Sequence, residues 1–520
     1  MSQIAMFITS IRSDKVTKTT KTKVAYKMLT ITLLLVLTAC LLVYKIRQRA
    51  KHDRMIECIP AVPNAFPLIG NAYMLLGDSQ DTFELIRVYS YKSNRAGGIL
   101  RFLIGTQQFF IVTNPQVAHA IMNTSLSKSY MYDFSLNWVG RGLFNTTASR
   151  WKQQRKLLNP AFSQKVIDGY LDLFNRNAEN LVEALSTKCG TGSFDVVPVL
   201  TDMTLENICQ TVMGLPAETM KTVVDDRYTQ TAKTLLDVLI TRLQKFWFHS
   251  DILYHFSSLK KEESRLIKIA HEITWKVVRH RKAMLQNLPS NHGTDQEPNR
   301  LSFLDLLLDW HAKGHLSEAQ VKEEVDSMLI AGYDTVATQV LYTLIVLGSL
   351  PDVQEKVYSE LQEVFGSNSA VTKEGLSKLV YLDAVVKEVM RMYPTIGALD
   401  RRIDQDIKFD NFTLPAGSTA FILIWGIHRH PCWGDDAHHF DPQRWLQRRV
   451  PADLGAYAAF GLWPRVCIGR SYAYLSMKTT LVHILRLYRV EANLPNLELK
   501  FDLLTKPVCG HHISLELRDK

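Results

Sequence analysis

Phe460-Gly461-Leu462-Trp463-Pro464-Arg465-Val466-Cys467-Ile468-Gly469-Arg470 sets a cysteine between a Gly- and Pro-bearing loop and an apolar stretch that reads as a helix from about Ile468. A thiolate at such a junction meets the positive end of the helix dipole and free backbone N–H groups, both of which favour the charged sulfur that iron requires. Gly469 lets the backbone pass close to a flat group with no side chain in the way. Taken alone, the loop reads as an inert buried cysteine beside a helix start. Its neighbours have to decide.

Moving toward the N-terminus, the first neighbour is Phe440-Asp-Pro-Gln-Arg444-Trp445, and before it Glu388-Val-Met-Arg391 followed by Tyr393-Pro394. Glu388 and Arg391 stand at i, i+3, where opposite charges on a helix can pair. Glu84/Arg87, Glu262/Arg265 and Glu297/Arg300 share that spacing, so the order of the segments discriminates and the pair alone does not. Further back, Glu323-Glu-Val-Asp-Ser-Met-Leu-Ile-Ala331-Gly332-Tyr-Asp334-Thr335 lies inside a long apolar helical pattern. Gly332 is costly in mid-helix, and an acid followed by a hydroxyl in apolar company marks either a kink or a polar site. Residues 145–162 (NTTASRWKQQRKLLNPAF) open a helix with candidate hydroxyl caps and put Trp151 and Arg155 on one face at i, i+4. By itself that is a basic surface turn.

Taken together, these segments resemble the cytochrome P-450 superfamily. Phe460, Arg465, Cys467 and Gly469 match its haem-binding signature in register; Trp463 departs from it, standing where that signature usually has a glycine. The resemblance implies a mainly α fold with small β-sheets and haem between two central helices. It makes Cys467 the axial ligand of the haem iron, with Phe460 beside it, and assigns Trp151, Arg155, Arg401 and Arg465 to the haem propionates. It implies a structural triad of Glu388, Arg391 and Arg444, a dioxygen groove at Gly332, and Asp334 and Thr335 as the proton-delivery pair. The cofactor is then haem b. Residues 141–162 and 323–326 are most similar to the family 4 branch, many of whose members carry a haem-esterifying Glu where this chain has Ala331, so haem bound without a covalent link is expected.

The implied activity is a monooxygenase that inserts one atom of O2 into a lipophilic substrate: a fatty acid, a hormone-like lipid or a xenobiotic. NADPH-derived electrons would arrive through NADPH-cytochrome P-450 reductase, with cytochrome b5 as a further donor. The alternatives are a haem-thiolate isomerase or dehydratase that needs no dioxygen, and a catalytically degenerate haem binder, for which Trp463 is the best support.

Composition sets the frame. The chain has 520 residues, 46% hydrophobic and 22% charged, which suits a large globular core. Its net charge of +10 is concentrated in residues 1–54, which hold eleven Lys and Arg against Asp14 and Asp53. The basic character belongs to the N-terminus, which excludes a nucleic-acid face on the body. Seven scattered cysteines without a CxxC pair indicate neither a disulfide framework nor zinc.

Residues 28–44 (MLTITLLLVLTACLLVY) form an uncharged run between Lys27 and Lys45, long enough for a membrane anchor with snorkelling flanks. The expected organisation is a basic segment 1–27, the transmembrane anchor 28–44, a basic and proline-rich hinge 45–70, and one catalytic domain 71–520. An endoplasmic reticulum membrane with the catalytic domain facing the cytosol is expected. The alternative is the mitochondrion, because residues 9–23 are basic and nearly free of acids. Within the body, residues 95–113 read as a β-hairpin. Residues 164–186, 219–246, 258–286, 318–350, 351–365, 374–393 and 465–490 read as helices, and 401–425 as strands.

Overall fold

The computed structural model describes residues 54–518 except 225–226, 288–301 and 367–368, together with Thr32, Leu33, Val36, Leu37 and Cys40. Apart from those five positions, which are helical, the expected anchor at 28–44 lies outside the described residues. Contacts divide the chain into one unit of residues 60–407 with 416–520 and a second of 1–59 with 408–415. In the second, Phe409 donates its N–H to the Phe412 carbonyl at 2.9 Å and the two rings pack 4.8 Å apart.

In the larger unit, Asp78 accepts from the backbone N–H groups of Gln80 and Asp81 while Asp81 accepts from that of Asp78, which starts helix α1 (Ser79–Arg95). The hairpin expected near residues 95–113 is present as β1 (Ile99–Ile104) paired antiparallel with β2 (Gln107–Val112). The proline-rich strap before it, expected as part of a hinge, is hydrogen-bonded to β1. Val62 N–H donates to the Arg101 carbonyl at 2.8 Å, and Arg101 N–H to that of Pro60 at 2.9 Å. Gly70, at φ +61°, has no room for a Cβ, which would stand 2.6 Å from the Leu103 backbone.

The body is mainly α with small sheets, as expected. Its principal helices are α2 (Ala148–Leu158), α3 (Leu171–Ser186), α4 (Val197–Thr211), α5 (Arg227–Gln244), α6 (Ser258–Gln286), α7 (Glu318–Ser349), α8 (Val380–Met392) and α9 (Arg470–Leu487). Ser317 and Gln320 close a capping box on α7. The apolar part of α7 is long enough to cross a membrane, yet 78% of it is buried within the protein. It packs in one core with Leu181 of α3, Leu200 of α4, Val385 of α8 and Leu481 of α9. Helices on every side leave α7 little contact with water, which is why its composition resembles that of a membrane span.

Beyond β1 and β2, the principal strands are β3 (Phe194–Asp195), β4 (Ala398–Arg402), β5 (Thr419–Leu423), β6 (Tyr488–Ala492), β7 (Glu498–Phe501), β8 (Thr505–Cys509) and β9 (His512–Leu517). The main sheet runs β1-β2-β5-β4, with β2 and β5 parallel. β7 and β8 form a separate hairpin, and β9 joins β3 to β6.

Several helix expectations need correction. The stretch 164–186 is two helices, Gln164–Asp168 and α3, interrupted at Gly169-Tyr170. The stretch 374–393 breaks at Leu379 because the Glu360 carboxylate accepts the N–H groups of Tyr381 and Leu382 at 2.7 and 2.9 Å and so caps α8 from outside. Helix α9 begins at Arg470 with Gly469 as its N-cap, later than the Ile468 start expected. Thr147 stands at the N-cap of α2 but makes no side-chain cap, so the hydroxyl cap expected there is not formed.

Candidate active site

The cysteine loop is held in register by its own backbone: Cys467 N–H donates to the Phe460 carbonyl and Gly461 N–H to that of Ala458, both at 2.9 Å. The Phe460 ring packs on Tyr474 at 5.2 Å. Trp463 is 68% exposed, so its bulk points out of the loop and leaves these contacts intact. Cys467 is accessible although flanked by protein. Burial raises its thiol pKa, while the Gly469 N–H and the charge of Arg155 act the other way. The later start of α9 therefore still leaves backbone donors for the sulfur.

Helix α2 reaches the same loop. Arg155 Nη1 donates to the Val466 carbonyl, one residue before Cys467, at 2.8 Å. Arg465 lies over the Trp151 ring at 4.9 Å and donates to the Thr146 carbonyl at 3.0 Å. Arg401, on β4, donates to the Asp400 carbonyl at 2.7 Å. The structure thus groups Trp151, Arg465 and Arg401, whereas Arg155 is committed to the loop backbone.

Lys128, which the motifs did not single out, joins this group. Its ammonium lies 4.0 Å from the Tyr132 ring centre and 3.8 Å from that of Phe144. Burial, then repulsion from Arg401 and Arg465, holds its pKa well below the ordinary lysine range. Burial and Arg401 likewise lower Arg465 to about 10. The Nε atoms of Arg401 and Arg465 are buried and have no protein partner. Two buried guanidiniums with spare Nε donors, beside Lys128, offer a seat for an anion. Lys128 lies in a polar loop, SLSKSY, whose spacing carries no signal; only the fold brings it here.

Behind the loop, Glu388 receives both arginines of the expected triad. Arg391 donates from Nε and Nη2 at 2.9 and 2.8 Å, and Arg444 from Nε at 3.0 Å. All three side chains are fully buried. The equally spaced pairs Glu84/Arg87 and Glu262/Arg265 also form, but in solvent.

On α7, Ala331 is exposed and Thr335 half-buried, one turn apart on one face, within a helix otherwise largely buried. Thr335 Oγ1 donates to the Ala331 carbonyl at 2.9 Å. At Gly332, the position expected to open a groove, a Cβ would stand 2.3 Å from Ile208 Cδ1, so the missing side chain admits α4. Ala331 holds the open position. Asp334 is paired with Lys506 of β8 at 2.5 Å. An apolar cavity of about 150 Å³ lies elsewhere in the body, among Met74, Ile86, Phe102, Leu243, Phe421 and Phe501.

These features define a haem-thiolate site on a mainly α body, and comparison with known proteins agrees. A family model described as Cytochrome P450 matches residues 60–510. The chain is 29% identical to Cytochrome P450 4c3 of Drosophila melanogaster across 98% of its own length and 99% of that protein's. It is 32% identical to Cytochrome P450 4V2 of Mus musculus across 90% and 91%, and 30% identical to the Homo sapiens protein of that name across 92% and 93%. The chain belongs to the cytochrome P450 family, and its relatives place it in the family 4 branch. It is an oxidoreductase of the haem-thiolate monooxygenase kind, which uses haem iron, dioxygen, an organic substrate and a redox partner. The residues present fit that cofactor: an accessible sulfur beside backbone donors, and a buried cationic seat with spare N–H groups for its carboxylates.

Proposed function

We propose that this protein inserts one oxygen atom of O2 into a lipophilic substrate of the fatty acid, hormone-like lipid or xenobiotic class, at haem b held without a covalent link. When bound, the haem supplies dioxygen activation at a thiolate-ligated iron. Cys467 is the sulfur ligand, with Phe460 and the Gly469 N–H steadying its loop. Trp151, Arg401, Arg465 and Lys128 hold the propionates. Arg155 acts one step back, fixing the Val466 carbonyl and placing a positive charge near the sulfur. Glu388, Arg391 and Arg444 brace the segment that carries the loop. Thr335, on the open face of α7, holds and passes a proton, and Asp334 supplies it.

The observation that carries the reading is the accessible Cys467 beside the Gly469 N–H and Arg155. The retained Asp334-Thr335 pair favours a monooxygenase over an isomerase or dehydratase, which delivers no proton to dioxygen. The outward Trp463 removes the main support for a degenerate binder.

NADPH-cytochrome P-450 reductase is the proposed electron donor, with cytochrome b5 as a second one, in the endoplasmic reticulum membrane. The uncharged run 28–44 would anchor the chain, and residues 71–520 would serve as the single catalytic domain. Exposed Phe66, Leu68, Trp247, Ile252 and Phe256 would add apolar contact with lipid.

The test is the spectrum of the reduced, carbon-monoxide-bound protein, with turnover in the presence of NADPH and reductase. The thiolate signature and product are expected for the wild type. Cys467→Ser should abolish that signature; an unchanged spectrum would refute the assignment.

A further inference from the structure

Asp334 does not meet Thr335 in this structure. Its Oδ2 is taken by Lys506 Nζ at 2.5 Å, from β8 near the C-terminus, while the Thr335 hydroxyl donates to Ala331. Both members of the ion pair are largely enclosed, with side-chain exposures of 18% for Lys506 and 12% for Asp334.

The hairpin that carries Lys506 is fixed at the neighbouring residue. Thr505 N–H donates to the Thr395 carbonyl at 2.7 Å, and the Tyr342 hydroxyl of α7 donates to the Thr505 carbonyl at 2.9 Å. Release of Asp334 must therefore come from side-chain rotation, since the backbone of β8 is tied to the same helix as the acid.

A second carboxylate stands ready. Asp502 lies in the turn between β7 and β8, where Leu503 is left-handed at φ +71°. Its Oδ2 meets Lys500 at 3.0 Å, and its Oδ1 is buried with no hydrogen-bond partner. Burial raises the Asp502 pKa, and the nearby charge of Lys506 is the largest influence opposing it. An ammonium leaving Asp334 would otherwise be stranded in a low-dielectric site, so an open acceptor on the same hairpin lowers the cost of release.

We propose that Lys506 is a latch: its ammonium holds the Asp334 carboxylate turned away from Thr335, and its transfer to Asp502 frees Asp334 to pass a proton toward Thr335 on the open face of α7. Lys506 is a positioning residue, acting through Asp334. The proton count is that of ordinary relay: Asp334 takes a proton from water, gives it toward Thr335 and returns to the carboxylate, while Lys506 remains an ammonium throughout. The inference rests on the proposed role of the Asp334-Thr335 pair and adds the element that controls it. The charged groups that face Asp334 are Lys506 directly, with Asp502 and Lys500 behind it on the hairpin; Tyr333 is its neighbour on α7.

The ferric holoenzyme tests the latch without turnover. In Lys506→Met the enclosed carboxylate loses its charged hydrogen-bond donor, so infrared difference spectra should show its carboxylate stretch displaced from the wild-type position. That band should vanish when Asp334→Asn is added, and Lys506→Arg should keep the wild-type position. In turnover, Asp502→Asn removes the second seat. The solvent deuterium isotope effect on product formation should rise at least twofold, and this rise should disappear in the Lys506→Met background.

A merely structural hairpin would give additive losses and no displacement of the carboxylate band. An unchanged carboxylate band in Lys506→Met, or an Asp502→Asn effect of equal size in both backgrounds, overturns the latch. Full coupling in Thr335→Ala would instead overturn the relay on which it rests and leave the band displacement standing.

Discussion

Arg444 Nε donates to Glu388 Oε1 at 3.0 Å, and the same carboxylate is gripped by Arg391, so one buried acid bridges two buried guanidiniums, with Asp436 as a second acid 3.3 Å from Arg444. Asp441 N–H and Trp445 Nε1 complete the shell at 2.9 and 3.0 Å. Arg391 spends its remaining donors on the carbonyls of His428, Ala437 and His439. Removing Glu388 takes the buried acid from both cations. Glu388→Ala should cost about 3–5 kcal/mol and leave little folded, haem-loaded protein. Denaturant unfolding and haem content per chain check this, and near wild-type values for both would refute the brace.

Thr335 offers one hydroxyl on the open face of α7, at present donated to the Ala331 carbonyl. Such a bond can be exchanged without disturbing the helix, because Ala331 keeps a backbone carbonyl whatever stands at 335. Thr335→Ala should therefore load haem normally but consume NADPH with little product. Product formed per NADPH oxidised is the measurement, and tight coupling in this variant would remove Thr335 from proton delivery.

What the sequence disclosed depended on how local each signal was. Cys467 and its flanking residues lie within one short loop, and Glu388 and Arg391 within one helical turn, so both could be read as motifs once the order of the segments and the family resemblance singled them out. Helix α6 was legible to the residue because its apolar stripe is long and unbroken. The break at Leu379 was not, since the group responsible is Glu360 on another helix. The groove at Gly332 came from the family resemblance, and sequence could not show that Ile208 packs against this glycine, because only tertiary packing brings it there. Lys128 lies far along the chain from Arg401 and Arg465, and Lys506 from Asp334, so no spacing rule could bring these groups together.

Ala331 occupies the accessible position of α7 with a methyl group, and so offers no carboxylate for an ester to haem. The cofactor should leave the protein on extraction with acidified organic solvent. Chromatography of the extract at the haem absorption band tests this, and haem that stays with the polypeptide would contradict it.

Glu324 gives the protein a pH dependence of opposite sign to that of an ordinary salt-bridged carboxylate. Burial raises its pKa from the usual 4.5 to about 7, despite opposing contributions from the Leu143 N–H and Arg150. Its Oε2 accepts from Leu143 at 2.9 Å and its Oε1 from Gln154 Nε2 at 2.8 Å. The folded state thus binds a proton that the unfolded chain releases between about pH 4.5 and 7. The stability linked to this group is complete below the lower value, falls as pH rises through the window, and is flat above it. A displacement of this size corresponds to about 3 kcal/mol as an upper figure.

Glu324→Gln is neutral at every pH, and the buried Gln154 Oε1, which has no partner, can receive the new amide after the Gln154 side chain flips. The variant should match wild type in Tm at pH 5 and exceed it at pH 8. Thermal unfolding of both holoproteins across that range decides the matter. A variant less stable at pH 8 than at pH 5 relative to wild type would mean that Glu324 is ionised and fully compensated where it lies.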